Sequence, residues 1–170
     1  MSVLAQTELR KLLKEGVIKV EPCEESQIGP ASIDLHVGNT FLVYKKARGI
    51  CHVTNDTNFE DITEELTVDD YFVLMPSESV LAYTKERVTL PDNMCGRLEG
   101  RSRFARLGLL VHITASFMQP GISNRQILEM YNASQFPLAI HAGTRICQFI
   151  FEYTEGTGHY DGRFVNQGED

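Results

Sequence analysis

Three arginines crowd into residues 100–108, Gly-Arg-Ser-Arg-Phe-Ala-Arg-Leu-Gly: Arg101, Arg103 and Arg106, with the hydroxyl of Ser102 beside them. A guanidinium is permanently charged and presents a planar fork of N–H donors that suits phosphate or carboxylate oxygens. Gly100 and Gly108 allow close backbone approach or positive φ at both ends. Such a segment can hold an anion. A solvated basic turn paired with neighbouring acids has the same spacing, and spacing alone leaves both readings open. Glu129, in Ile127-Leu128-Glu129-Met130-Tyr131, is the second group of interest. A carboxylate on an apolar strand either faces outward or is buried. Buried without a partner, its pKa rises and it can shuttle protons near neutrality. Asp34, in Ser32-Ile33-Asp34-Leu35, poses the same question and reads as a structural tie for a turn. His112 lies in an apolar run and reads as a satisfied core histidine.

Several chemistries lack their motifs. There is no His-x-Glu followed by Pro-Cys-x-x-Cys, the zinc-hydroxide signature of common nucleobase deaminases. A Walker A loop, a G-x-S-x-G elbow and a dinucleotide fingerprint are also missing. The formal net charge of −7 opposes a nucleic-acid backbone, so a basic cluster here points to a small anion pocket. Cys23, Cys51, Cys95 and Cys147 are scattered without a C-x-x-C pair, as expected for reduced thiols in the cytoplasm. No leader-like or bilayer-spanning run is evident, so no membrane partner is expected.

These groups must be positioned mainly by strands. Leu9, Leu12 and Leu13 predict a short N-terminal helix capped by Thr7 and stopped at Gly16. Residues 17–20 read as a strand. Residues 31–38 alternate, with Ile33, Leu35 and Val37 on one face and Ser32, Asp34 and His36 on the other. Further strands are predicted at 40–44, 71–74, 80–85, 109–113, 126–131, 138–142 and 146–153. Turns fall at 88–93 and at Gln119-Pro120-Gly121. Residues 46–70 read as a polar surface excursion. Short strands at regular spacing with one helix predict an all-β sandwich or barrel. The 170 residues read as one domain, whose tail from about 154 to 170 is polar and mobile.

Together these residues resemble the dCTP deaminase branch of the trimeric dUTPase superfamily, over nearly the whole chain. Residues 31–38, Ala-Ser-Ile-Asp-Leu-His-Val-Gly, look like its early Asp-Leu strand motif. Residues 100–109 look like its Gly-Arg-Ser-Ser-x-Ala-Arg-x-Gly-Leu segment, and 111–115 and 127–132 like the strands around its base pocket. The resemblance implies a distorted jelly-roll or dUTPase-like β-barrel, a homotrimer with nucleotide held between subunits, and conversion of dCTP to dUTP and ammonia without a catalytic zinc. By position, Glu129 matches the general acid/base. Ser102 and Arg106 match the pair at the cytosine end, and Ala115 the residue whose carbonyl orients the water. Arg101 matches a triphosphate contact, and Ile127 and Leu128 flank the base. Tyr160, Arg163 and Gln167 fall where the family's tail closes over the nucleotide, with Arg163 where lysine is usual. Magnesium would be held by the triphosphate.

Two departures stand out. Arg103 replaces a serine and offers a further phosphate contact or a salt bridge at the subunit seam. Gln119 stands where relatives commonly carry an aspartate that contacts the sugar and, in dUTPases, activates water. An amide can hydrogen-bond a 3′-hydroxyl but cannot act as a base. The expected product is therefore dUTP and not dUMP. The alternatives are dUTP diphosphohydrolysis, a bifunctional enzyme, and a nucleotide-binding regulator without turnover.

Overall fold

Leu9 and Leu12 recur at helical spacing, and both are buried on helix α1 (Gln6–Glu15) in the structure, a computed structural model that describes residues 2–46 and 49–168. Residues 47 and 48 of the expected excursion, and 169 and 170 of the tail, lie outside the described residues. Gly16 stops the helix in the left-handed region, φ 71°, as expected. The cap is not Thr7. The helix starts from Ala5 with no side-chain cap, because the chain is already pinned by Leu4 N–H to Phe151 O (3.0 Å) and Gln6 N–H to Pro30 O (2.8 Å).

The strands follow in order: β1 (Lys19–Glu21), β2 (Ile33–Tyr44), β3 (Thr63–Thr67), β4 (Tyr71–Leu74), β5 (Ser79–Thr89) and β6 (Met94–Gly100). After a one-turn helix α2 (Ser102–Ala105) come β7 (Leu109–Leu110), β8 (Phe117–Met118), β9 (Ser123–Asn132), β10 (Leu138–His141) and β11 (Arg145–Tyr153). They form a sheet in the order β7-β9-β5-β2-β11-β6-β8, with β1 added to β5 and β3 to β2, while β10 and β4 pair separately. The early residues of β2 pair with β11, and its later ones with β5 and β3. One long strand thus turns a corner, marked by an irregular register between Val37 and Phe41. The result is a curled, mainly β fold with two short helices, in line with the all-β expectation.

Other differences from the sequence reading have local causes. Residues 33–44 are one strand, not two, because the Gly38 corner bends the ladder without ending it. The strand after α1 sits at Lys19–Glu21, placed by its pairing with Arg87–Thr89 of β5. The excursion contains β3, a polar strand of which only Thr63 is buried. β6, with Gly96 and Gly100 in it, had no alternating apolar signal. Only Leu109–Leu110 of the predicted 109–113 strand is in a ladder.

The core lies between these faces. Ile33, Leu35, Leu98, Leu128, Phe149 and Phe151 are buried there, with the two phenylalanine ring centroids 4.7 Å apart. Each such side chain contributes about 1.5–3 kcal/mol on burial. Gly96 permits the closest approach: a Cβ there would run into the Phe149 ring and lie 2.9 Å from Ile150 O. Gly96→Ala is therefore expected to destabilise by about 1–3 kcal/mol or more through overpacking. A thermal melt unchanged by this substitution would show that the Phe149 ring has room to move.

Candidate active site

Strand parity decides what β9 offers. Leu128 and Met130 are fully buried, so Ile127 and Glu129 face the opposite side. There they line a pocket of about 470 Å³. Its apolar wall includes Tyr44 from the end of β2, Leu81 from β5, Phe59 from the excursion, and Phe117 and Met118 of β8. Ala115, Gln119, Ile122, Asn124, Tyr160, Phe164 and Gln167 complete it. Among the described residues, Glu129 is the one carboxylate on its walls.

Residues 113–115 give their N–H groups to Glu129 instead of a ladder. Its Oε2 accepts from Thr114 (2.8 Å), Ile113 (3.1 Å) and Ala115 (3.3 Å), and from the Thr114 hydroxyl (3.3 Å). Oε1 has a 3.5 Å contact with the same hydroxyl. Partial burial pushes the carboxyl pKa up, but the backbone donors of Thr114, Ala115 and Ile113, with the Thr114 hydroxyl, outweigh it. The net shift is downward. This corrects the expected raised pKa. Glu129 is ionised at neutral pH, with Oε2 anchored by the three N–H groups and Oε1 left with the single long contact to the Thr114 hydroxyl. Burial, and then the Glu129 charge, push the Tyr44 phenol up.

The tail folds against this pocket. Tyr160 N–H donates to Pro120 O (2.9 Å), and Gln167 Nε2 donates to Arg125 O (2.8 Å). His159 Nδ1 lies 2.7 Å from Asp92 Oδ1. Gly121, at φ 79°, makes room for that imidazole, which a Cβ would strike. Arg163 is not on the pocket wall. Its guanidinium donates to Thr57 O (3.1 Å) and sits 5.8 Å from the Phe164 ring centroid.

The arginine segment stands elsewhere on the chain. Arg101 pairs with Asp34 Oδ2 (3.1 Å) and donates to Arg145 O (2.7 Å), which gives Asp34 the structural tie expected of it. Ser102, Arg103 and Arg106 are exposed on and just after α2, and none of them lines the pocket with Glu129. Gly108 has positive φ (84°), packed against Ser134, whereas Gly100 does not.

The structure thus brings together Glu129, Ala115, Gln119, Ile127, Tyr160 and Gln167. It does not bring in Ser102, Arg101, Arg103, Arg106 or Arg163 within one chain. Leu128 is corrected as a side-chain contact, since parity buries it in the core. His112 is corrected too: it is partly exposed, with Nε2 3.9 Å from Glu99 and Nδ1 without a partner among the described residues. Tyr44, Phe59, Leu81 and Asn124 were missed. Tyr44 ends a predicted strand, but nothing local marks Phe59, which reaches the pocket from the excursion. No group of three or more His, Cys, Asp or Glu among the described residues is arranged to hold a metal ion. No helix of the described residues is long and apolar enough to cross a membrane.

Comparison with known proteins bears on the family and the fold. The sequence model of the dCTP deaminase-like family matches residues 3–154. A relative from Methanothermobacter thermautotrophicus, named dCTP deaminase, dUMP-forming, is 36% identical over 156 residues, covering 89% of this chain and 79% of its own. A dCTP deaminase from Thermomicrobium roseum is 38% identical over 155 residues, covering 88% and 79%. Among solved structures, the 2′-deoxycytidine 5′-triphosphate deaminase from Agrobacterium tumefaciens aligns with a TM-score of 0.70 at 22% identity. That alignment covers 89% of this chain and 48% of the Agrobacterium chain, so this chain spans about half its length. The native EIAV dUTPase aligns with a TM-score of 0.54 at 14% identity, over 91% and 98% of the two chains. The fold is therefore of the dUTPase-like β class. Within it, the chain belongs to the dCTP deaminase-like family.

Proposed function

We propose that this protein hydrolytically deaminates dCTP, with Glu129 as the proton-transferring group. The observation that carries the reading is an ionised carboxylate anchored by three backbone N–H groups in a largely apolar pocket, in a chain of this family. Glu129 Oε1 takes a proton from water as its oxygen attacks C4 of cytosine. The same carboxyl delivers that proton to N3, and a second transfer from the hydroxyl at C4 releases ammonia. The Ala115 carbonyl orients the water. Ser102 and Arg106 supply fixed donors at the cytosine end, and Arg101 and Arg103 face the triphosphate. Since the arginine segment and Glu129 are apart in one chain, the working unit is a homotrimer in which a neighbouring copy contributes that segment. Residues 1–170 act as one domain, with the tail closing the site. Magnesium comes with the triphosphate; among the described residues no cluster of three or more His, Cys, Asp or Glu is arranged to cage it.

The product has two readings, each with its own support. The Methanothermobacter relative's name, dUMP-forming, supports onward hydrolysis and runs against the dUTP expected from sequence. In that reading Asp34, beside Arg101, is the carboxylate that replaces residue 119 as base. The amide at 119 and the pocket's single carboxylate support release of dUTP. The test follows ammonia and pyrophosphate separately from dCTP and from dUTP, with and without magnesium. Equal ammonia and pyrophosphate from dCTP establishes dUMP, and ammonia alone establishes dUTP. Absence of ammonia sinks the deaminase reading altogether. If dUTP is the product, Gln119→Asp is expected to raise pyrophosphate release, since general-base help is worth roughly a hundredfold or more.

A further inference from the structure

β9 begins with two buried polar residues where its core-facing row would otherwise be apolar: Asn124, 3% exposed, and Gln126, fully buried. Their amides are linked. Gln126 Nε2 donates to Asn124 Oδ1 (2.8 Å), which commits the Asn124 amide nitrogen to the other side. That nitrogen donates to two tail carbonyls, Phe164 O (2.9 Å) and Val165 O (3.4 Å). Gln126 is itself fixed from behind, because its backbone N–H donates to Thr84 Oγ1 (2.9 Å), whose hydroxyl donates to Glu86 O (2.8 Å). The arrangement leaves Gln126 Oε1 buried with no partner among the described residues, an unfavourable state for an acceptor. Such a state persists where the amide nitrogen is needed as a donor on one particular side. Phe164 is gripped at its other polar group as well: its N–H donates to Tyr160 OH (3.2 Å). With both backbone groups held, Phe164 lines the same pocket as Glu129, and its ring centroid lies 6.3 Å from that of Phe59.

We infer that Asn124, oriented by Gln126, is a positioning residue that docks the tail so that Phe164 roofs the substrate pocket. The inference rests on the dCTP reading above for its substrate and on the hydrogen bonds alone for the docking. Asn124→Asp keeps the shape but removes the donor and sets a carboxylate against two carbonyls. The KM for dCTP is expected to rise about tenfold, the usual scale for losing one buried hydrogen bond, while kcat changes far less because Glu129 is untouched. Trypsin cleavage after Arg163 in the native protein is expected to accelerate by about the same factor, since the tail's docked fraction falls. Phe164→Ala, at a 43% exposed tail position that does not endanger folding, is expected to raise KM similarly. Combined with Asn124→Asp it should add little. Unchanged trypsin sensitivity in Asn124→Asp, or faster cleavage with an unchanged KM, overturns the inference, as does a wild-type KM in Phe164→Ala. If the wild-type protein releases no ammonia from dCTP, the functional reading fails, and the cleavage ratio still decides whether Asn124 holds the tail.

Discussion

Glu129→Gln is expected to lower ammonia release from dCTP by at least about a hundredfold, the lower range for losing a general acid/base. The fold should survive, because an amide oxygen can still accept from the N–H groups of Ile113, Thr114 and Ala115. What the amide cannot do is take up and return a proton at neutral pH. The pH profile gives a second check. Donors on Oε2 hold the carboxyl below its usual range despite partial burial. The base form therefore persists as pH falls through the ordinary carboxylate range, and activity declines only through the depressed pKa. Stability follows the same sign: the contribution of Glu129 is present above its unfolded pKa and lost as pH falls through the folded one. Near wild-type turnover by Glu129→Gln would move the base to another residue.

Mixing two inactive variants should restore activity. In one chain Arg106 is exposed after α2, whereas Glu129 faces a pocket that Arg106 does not line. If the site is completed by a neighbouring copy, Glu129→Gln and Arg106→Ala chains are each inactive alone. Co-assembled at equal amounts, about one site in four pairs an intact Glu129 with an intact Arg106, since cyclic assembly draws each half independently. Ammonia release after joint refolding measures it. Recovery near a quarter of the wild-type rate fits a site shared between copies, and recovery no greater than either variant alone means that one chain supplies both residues.

The legible parts of this chain are those where a strand is half buried. Ile33, Leu35 and Val37 alternate because one face of β2 meets the core, and the same rule carries β9 and β11. β3 and β6 were not legible: one is a polar strand, and the other packs glycine against Phe149 and so lacks the apolar beat. The site shows the same division. Glu129 was marked by its strand, and its neighbours Ala115 and Gln119 by motif. The sign of its pKa shift was not legible, because it depends on loop N–H groups whose donation to Glu129 is a tertiary fact. Phe59 reaches the pocket across a long sequence separation that no local pattern encodes.

The pairing of β5 with β9 bears on how such a chain can change length. From Tyr83↔Ile127 to Arg87↔Arg125 the partner moves by four residues on β5 and two on β9. The surplus on β5 is even, so inward and outward positions agree on both sides of the irregularity. An odd surplus would have reversed one side. Within β9 itself, Asn124 stands in the buried row, from which it also borders the pocket, and Glu129 in the alternate row, an odd distance apart. Deleting one residue between them would turn either the carboxylate into the core or the amide away from the tail. Insertions and deletions along this strand are therefore tolerated only in pairs, whereas single substitutions at its outward positions leave the parity intact.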